Sequence, residues 1–242
     1  MEAFGAKAII PLVTSDTRAK ASVRKDLTLT QHVDQILGQA AEIIRSGGVV
    51  VVPTETFYGL AADPFHEEAV RRVFQIKKRD ESKPLPLIAS DRSVVEDLIE
   101  PPDARVHELM ARFWPGSLTI LLRPRKPLSA LLTSQEGSIG VRLPPICPAR
   151  ALAAKAGGLI TATSANLAGD PDPSEVSMIS PQVLEAVDLV IDLGPTPGGK
   201  PSTVVEPDGA ELRIIRDGAI PGSLLSGFFR SCLRNRGESD SP

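Results

Sequence analysis

Only two cysteines occur in the 242 residues, Cys147 and Cys232. Their spacing matches no metal-ligand pattern and builds no disulfide framework, so two free thiols in a reducing compartment are expected. The three histidines, His32, His66 and His107, stand apart in polar, helix-like contexts. No His/Cys/Asp/Glu cluster forms, and no protein-built metal site is expected. No run of about 18 apolar residues exists, so no membrane span is expected. The short apolar patch at 8–13 lacks the core of a secretory signal, and residence in the cytoplasm is the expectation. Aromatic residues make up 4% of the chain and the net charge is −3. Neither a stacking platform nor a global positive field is available to draw in nucleic acid. Internal repeats, a glycine–lysine phosphate loop and a dinucleotide fingerprint are also missing.

What remains is ordinary for a soluble globular chain: 42% hydrophobic and 24% charged residues, with 22 prolines falling mostly between periodic segments. Residues 31–45 place Val33, Ile36, Leu37, Ala40 and Ile44 at helical spacing. Thr28 and Gln31 suit a capping box, and Gly47-Gly48 a stop. Residues 49–52 are a continuous apolar run, the mark of a strand buried on both faces. Further helices are predicted over 66–78, 94–99, 104–113, 148–156, 174–186 and from Pro221. Further strands are predicted over 85–89, 118–122, 138–143, 159–163, 189–193, 203–206 and 212–216. Strands alternating with helices argue for one α/β domain. Links at 191–203 and 206–211 are too short for helical crossovers, so the sheet should be mixed. The expected organisation is a polar arm at 1–27, the α/β domain at 28–236 and a flexible tail at 237–242.

The chemistry-bearing residues cluster after strands and at one helix end. Lys77, Lys78 and Arg79 close the 66–78 helix, where cations favour the macrodipole. Lys77, however, continues the apolar series Val70, Val73, Phe74 at i+7, so it points inward and needs an anion there or must snorkel. Lys83 follows in a polar turn. Thr54-Glu55-Thr56 leaves a buried strand at the end where open α/β sheets bind ligands. Thr163-Ser164-Ala165-Asn166 and Ser202-Thr203 offer small hydroxyl and amide groups. Arg142 lies within the predicted 138–143 strand and points opposite to Val141 and Leu143, while Arg216 ends the 212–216 strand; each could bind a carboxylate or lie on a solvated face. Together these residues suggest a pocket for a polyanion, and the residues alone leave open a nucleotide, an RNA backbone or no ligand at all.

In order, the strings SGGVVVVPTETFYGLAADP, KKR followed by KPL, FWPGSLT, GVRLP, TATSAN, STVV and IIRDGAI resemble the YrdC-like family of threonylcarbamoyl-AMP synthases over about residues 30–220. The resemblance implies a twisted mixed β-sheet flanked by helices, with a concave cationic pocket. It implies a nucleotidyltransferase that converts L-threonine, bicarbonate and ATP into threonylcarbamoyl-AMP and pyrophosphate, with Mg²⁺ accompanying ATP. A partner transferase would then move the threonylcarbamoyl group to a tRNA adenosine, and direct tRNA or duplex RNA contact is a further expectation. By similarity, Lys77 and Arg79 are the catalytic cations. Arg79, Lys83, Ser138, Ser164, Asn166 and Arg216 would bind ATP, and Thr56, Arg142, Ala162 and Ser202 would bind threonine.

The chain departs from the family pattern at four places. Asp80 stands where Pro is usual, and Leu87-Ile88-Ala89 lacks a frequent His. Pro201 replaces a common Glu, and Asp172 a frequent Ser. Two other functions compete with the synthase. One is an RNA-binding module in RNA maturation, and the other is a paralogue that adenylates a different carbamate.

Overall fold

The computed structural model describes residues 8–11 and 22–237. In chain order the elements are β1 (Ala8–Pro11), α1 (Ser22–Arg45), β2 (Val50–Pro53), β3 (Tyr58–Ala61), α2 (Glu67–Lys77), β4 (Leu87–Ala89), α3 (Arg92–Leu98), α4 (Ala104–Phe113), β5 (Leu118–Leu122), β6 (Ile139–Arg142), α5 (Pro148–Lys155), β7 (Leu159–Thr161), β8 (Thr163–Ser164), α6 (Pro181–Ala186), β9 (Leu189–Asp192), β10 (Thr203–Asp208), β11 (Glu211–Arg216) and α7 (Gly222–Gly237). They form one mixed α/β domain.

The strands make two mixed sheets where the sequence suggested one. The first has the order β1-β9-β2-β3-β8 and the second β11-β10-β5-β6-β4-β7. The predicted 159–163 strand divides between them. β7 pairs antiparallel with β4 in the second sheet, and β8 pairs antiparallel with β3 in the first. Ala162, at the crossing, donates its N–H to the Pro86 carbonyl. Every backbone group through the switch must find a partner, and the two sheet edges supply them.

Three further predictions are corrected. β3 was unseen, because YGLA lacks the apolar–polar alternation that marks a strand. Helix α1 starts at Ser22, inside the expected arm, so Thr28 lies within the helix and not at its start. The expected helix over 174–186 breaks into a 3-10 turn at Val176–Met178 and α6, which Ser180 caps by accepting from Val183 N–H. Pro181 suits the first turn of a helix but not its interior, which explains the break. Residues 1–7, 12–21 and 238–242, parts of the expected arm and tail, lie outside the described residues.

Two apolar cores lie on opposite faces of the buried strands. In β2, Val51 joins one core while Val50 and Val52 join the other; in β4, Leu87 and Ala89 oppose Ile88. A strand coated on both faces must be apolar at every position, as the 49–52 run is. Each such side chain contributes about 1.5–3 kcal/mol on burial. Helices α1 and α5 cover the second core.

Candidate active site

The two sheets leave a pocket between them. One wall is the β2–β3 hairpin, whose turn is tied by a single hydroxyl. Thr54 Oγ1 accepts from the N–H of Thr56 and of Phe57 and donates to the Phe57 carbonyl at 2.8 Å. Gly59 faces Ser164 across β3–β8, and a Cβ there would come within 3.1 Å of the Thr163 carbonyl. A larger residue there would press the strands apart by a few tenths of an ångström. The opposite wall is a row of cross-strand neighbours in the second sheet: Thr119 opposite Arg142, Arg142 opposite Ile88, and Ile88 opposite Ile160. In-register partners share a sheet face, so all four side chains face one way. The pocket holds about 130 Å³ of free space behind an open mouth.

The end of α2 splits its cations. Lys78 takes a left-handed backbone conformation (φ 50°), and Arg79 N–H returns to the Phe74 carbonyl. This is the turn by which many helices end. It leaves Lys77 on the buried face and swings Arg79 to the pocket. Lys77 is 2% exposed. Its ammonium donates to the Ser164 carbonyl, to the Asn166 carbonyl (2.8 Å) and to Asn166 Oδ1 (2.7 Å). Three donors meet three oxygens. Burial pushes the Lys77 pKa down to about 8, with repulsion from Arg79 adding to the fall and attraction from Asp172 opposing it.

Arg79 donates through Nε to the Lys83 carbonyl at 2.9 Å. Asp80 does not extend toward a ligand. Its carboxylate accepts from Ser82 N–H at 2.9 Å, its carbonyl accepts from Lys83 N–H, and the Ser82 hydrogen bonds hold the carboxyl below its ordinary range. Asp80 thus braces the 79–83 turn, a role open to Asp in tight turns.

Asn166 is saturated. Its Oδ1 accepts from Lys77 and from Ser164 Oγ (2.7 Å), and its Nδ2 donates to the Asp170 carbonyl (2.6 Å) and Asp172 Oδ1 (3.2 Å). Arg216 grips Ser202 by three hydrogen bonds, two to the carbonyl and one to Oγ. Ser202 Oγ in turn lies 3.0 Å from Thr119 Oγ1. Gly218 allows this packing, since a Cβ would sit 2.3 Å from the Pro201 carbonyl. Burial lowers the Arg216 pKa; Asp172 opposes the fall, while Arg142 and Arg79 add to it.

Arg142 is 7% exposed and its Nη1 donates to Glu55 Oε1 at 2.7 Å. Ser117 Oγ donates to the same oxygen at 3.2 Å, and Glu55 Oε2 is buried without a partner among the described residues. The half-buried Cys147 thiol lies nearby. Burial pushes its pKa up, with the Arg150 N–H opposing and the Glu55 carboxylate reinforcing the rise.

The pocket brings together seven of the residues expected from sequence: Thr56, Arg79, Arg142, Ala162, Ser164, Ser202 and Arg216. Four others are placed elsewhere. Lys77 and Asn166 sit behind the wall, bonded to each other. Lys83 is exposed on its turn. Ser138 faces a separate depression with Glu136, Glu206 and Arg213. The sequence missed Thr119 as a pocket residue and Glu55 as the partner of Arg142. Glu55 carried a signal, because it adjoins Thr56 on a turn that follows a buried strand.

The family model described as "Telomere recombination" (Sua5/YciO/YrdC) matches residues 42–218. The chain belongs to the Sua5/YciO/YrdC family. It is 34% identical over 209 residues to the threonylcarbamoyl-AMP synthase of Bacillus subtilis (strain 168), covering 86% of this chain and 60% of that protein. It therefore spans about three fifths of that relative's length. It is also 34% identical over 183 residues to a putative threonylcarbamoyl-AMP synthase of Methanocaldococcus jannaschii, covering 76% of this chain and 86% of that one. Among solved structures, Pyrococcus abyssi Sua5 complexed with L-threonine aligns with a TM-score of 0.73 at 31% identity, over 81% of this chain and 57% of that chain. Escherichia coli YciO aligns with a TM-score of 0.70 at 28% identity, over 77% and 90% respectively.

Proposed function

We propose that the pocket makes threonylcarbamoyl-AMP and pyrophosphate from L-threonine, bicarbonate and ATP. The observation that carries this reading is the convergence of three guanidinium groups, Arg79, Arg142 and Arg216, with the hydroxyls of Thr56, Ser164 and Ser202 in one pocket. Arg142 suits the threonine carboxylate, since a guanidinium matches a carboxylate fork. Arg79 and Arg216 suit phosphate oxygens, with Lys83 adding charge from the exposed turn. Family membership and the threonine-bound relative support the assignment.

The chemistry asks for position and charge neutralisation. The threonine nitrogen attacks the carbon of CO₂ derived from bicarbonate and loses a proton, giving a carbamate. A carbamate oxygen then attacks the α-phosphorus, and the bond to the bridging oxygen of the β-phosphate breaks. Pyrophosphate departs with the electron pair. Holding both reactants in line, with cations at the developing charge, supplies the rate gain. Mg²⁺ would arrive on the triphosphate. Among the described residues no group of three His, Cys, Asp or Glu could hold a metal, which fits an ion carried mainly by phosphates and water. The product would pass to a transferase acting on tRNA.

Pyrophosphate exchange into ATP tests the reading. It should require both threonine and bicarbonate, and exchange that ignores threonine would refute it. Ile88, a donor-free side chain in the row beside Arg142, favours a second reading in which a more apolar amino acid is the carbamate source. Exchange stimulated by valine or isoleucine above threonine would select that reading.

A further inference from the structure

We propose that Glu55 is the positioning residue for Arg142: it holds one end of the guanidinium so that only the remaining edge is offered to an amino-acid carboxylate. This rests on the reading of the pocket as an amino-acid site. The two side chains come from different sheets, Glu55 from the β2–β3 turn and Arg142 from the end of β6, and their ion pair spans the gap that the pocket occupies. Both side chains are about nine-tenths buried, at 10% and 9% exposure. Among the described residues, Glu55 is the one hydrogen-bond partner of the Arg142 side chain.

Glu55 is itself fixed. Ser117 Oγ donates to the oxygen that Arg142 uses, and the Thr54 hydroxyl ties the turn that carries Glu55. A long guanidinium arm has several rotamers, and losing that freedom on binding weakens a ligand. Pairing with a fixed carboxylate removes it in advance. The same pairing sets direction, because Nη1 is taken and Nε and Nη2 remain for the substrate. Glu55 also neutralises Arg142, so its contribution is geometric, and the charge it brings opposes a second carboxylate.

Two substitutions separate geometry from charge. Glu55→Gln keeps the length and the acceptor but removes the charge. Glu55→Asp keeps the charge but withdraws the acceptor by one methylene. Titration calorimetry of the full chain with L-threonine should show Glu55→Gln binding at least as tightly as the parent. Glu55→Asp should bind about tenfold more weakly, the scale expected of a small misplacement. L-threoninol, which lacks the carboxylate, and ATP should bind equally to all three proteins. In an Arg142→Ala background, Glu55→Asp should cause no further loss.

Equal threonine binding by the parent and Glu55→Asp would overturn the proposal alone, as would parallel losses of threonine, threoninol and ATP. A parent chain that binds ATP but none of the standard amino acids would overturn the substrate reading and the proposal with it.

Discussion

Replacing Lys77 by Met should cripple the nucleotide site while changing stability only modestly. Met matches the length of the Lys77 stem but has no donor. The Ser164 and Asn166 carbonyls would lose their donor, whereas Asn166 Oδ1 keeps its bond from Ser164 Oγ. Two orphaned acceptors cost about 2–6 kcal/mol together. Against this stands the cost of burying the ammonium. A fall from the ordinary 10.5 to about 8 corresponds to about 3 kcal/mol. The net change runs from about 1 kcal/mol of gain to about 3 kcal/mol of loss, a fall of at most about 12 °C in Tm for a domain of this size. The loop that presents Ser164, however, loses its side-chain tie to α2 and keeps only the bond from the Ala168 N–H to the Lys77 carbonyl. ATP affinity, measured by calorimetry, should fall by about tenfold or more. Asn166→Ala removes one of the three acceptors, Oδ1, and leaves the two carbonyls, so the double variant should be little worse than Lys77→Met alone. Fully additive losses would refute the reasoning, because they would mean that Lys77 meets ATP directly. Unchanged ATP affinity in Lys77→Met would refute it equally.

Three further outcomes follow from the same geometry. Lys77 titrates at about 8 in the folded chain against 10.5 ordinarily, so between these values the unfolded chain binds the extra proton and stability rises with pH. Over the same window a neutral amine has two N–H groups for three acceptors, so ATP affinity should fall; denaturant melts and titrations at pH 7 and 9.5 check both signs, and parallel changes would contradict them. Arg142→Lys should raise the threonine KM about tenfold or more while leaving ATP affinity unchanged, because an ammonium cannot replace the planar fork. Asp172→Asn removes the anion that lines the pocket and opposes the lowered pKa of Arg216. ATP binding at low salt should tighten several-fold, an effect that fades as salt screens it, and weaker binding would show that Asp172 contributes to the site instead.

The fold was legible wherever one residue type is demanded at every position. Val49 to Val52 must be apolar on both faces, and the helix expected over 104–113 and the strand expected over 118–122 match α4 and β5 residue for residue. Legibility failed where backbone partners decide. β3 is a strand because β2 and β8 flank it, and the 159–163 run serves two sheets because Ala162 bonds to Pro86. The inward turn of Lys77 could be read from i, i+3, i+4 and i+7 spacing. Its partner could not, since the oxygens it meets lie nearly ninety residues away. Asp80 looked like an anion set against phosphate-binding cations, but its side chain is spent on Ser82. Ser138 ends up facing another depression because it precedes β6 at the opposite end from Arg142.

The most direct test of the central claim is to incubate the pure chain with ATP, L-threonine and ¹³C-bicarbonate and to follow the products by mass spectrometry. The account predicts pyrophosphate and a threonylcarbamoyl-AMP carrying one ¹³C, formed only when all three substrates are present and lost in Arg142→Ala. Pyrophosphate released without threonine, or an adenylate without the label, would contradict it.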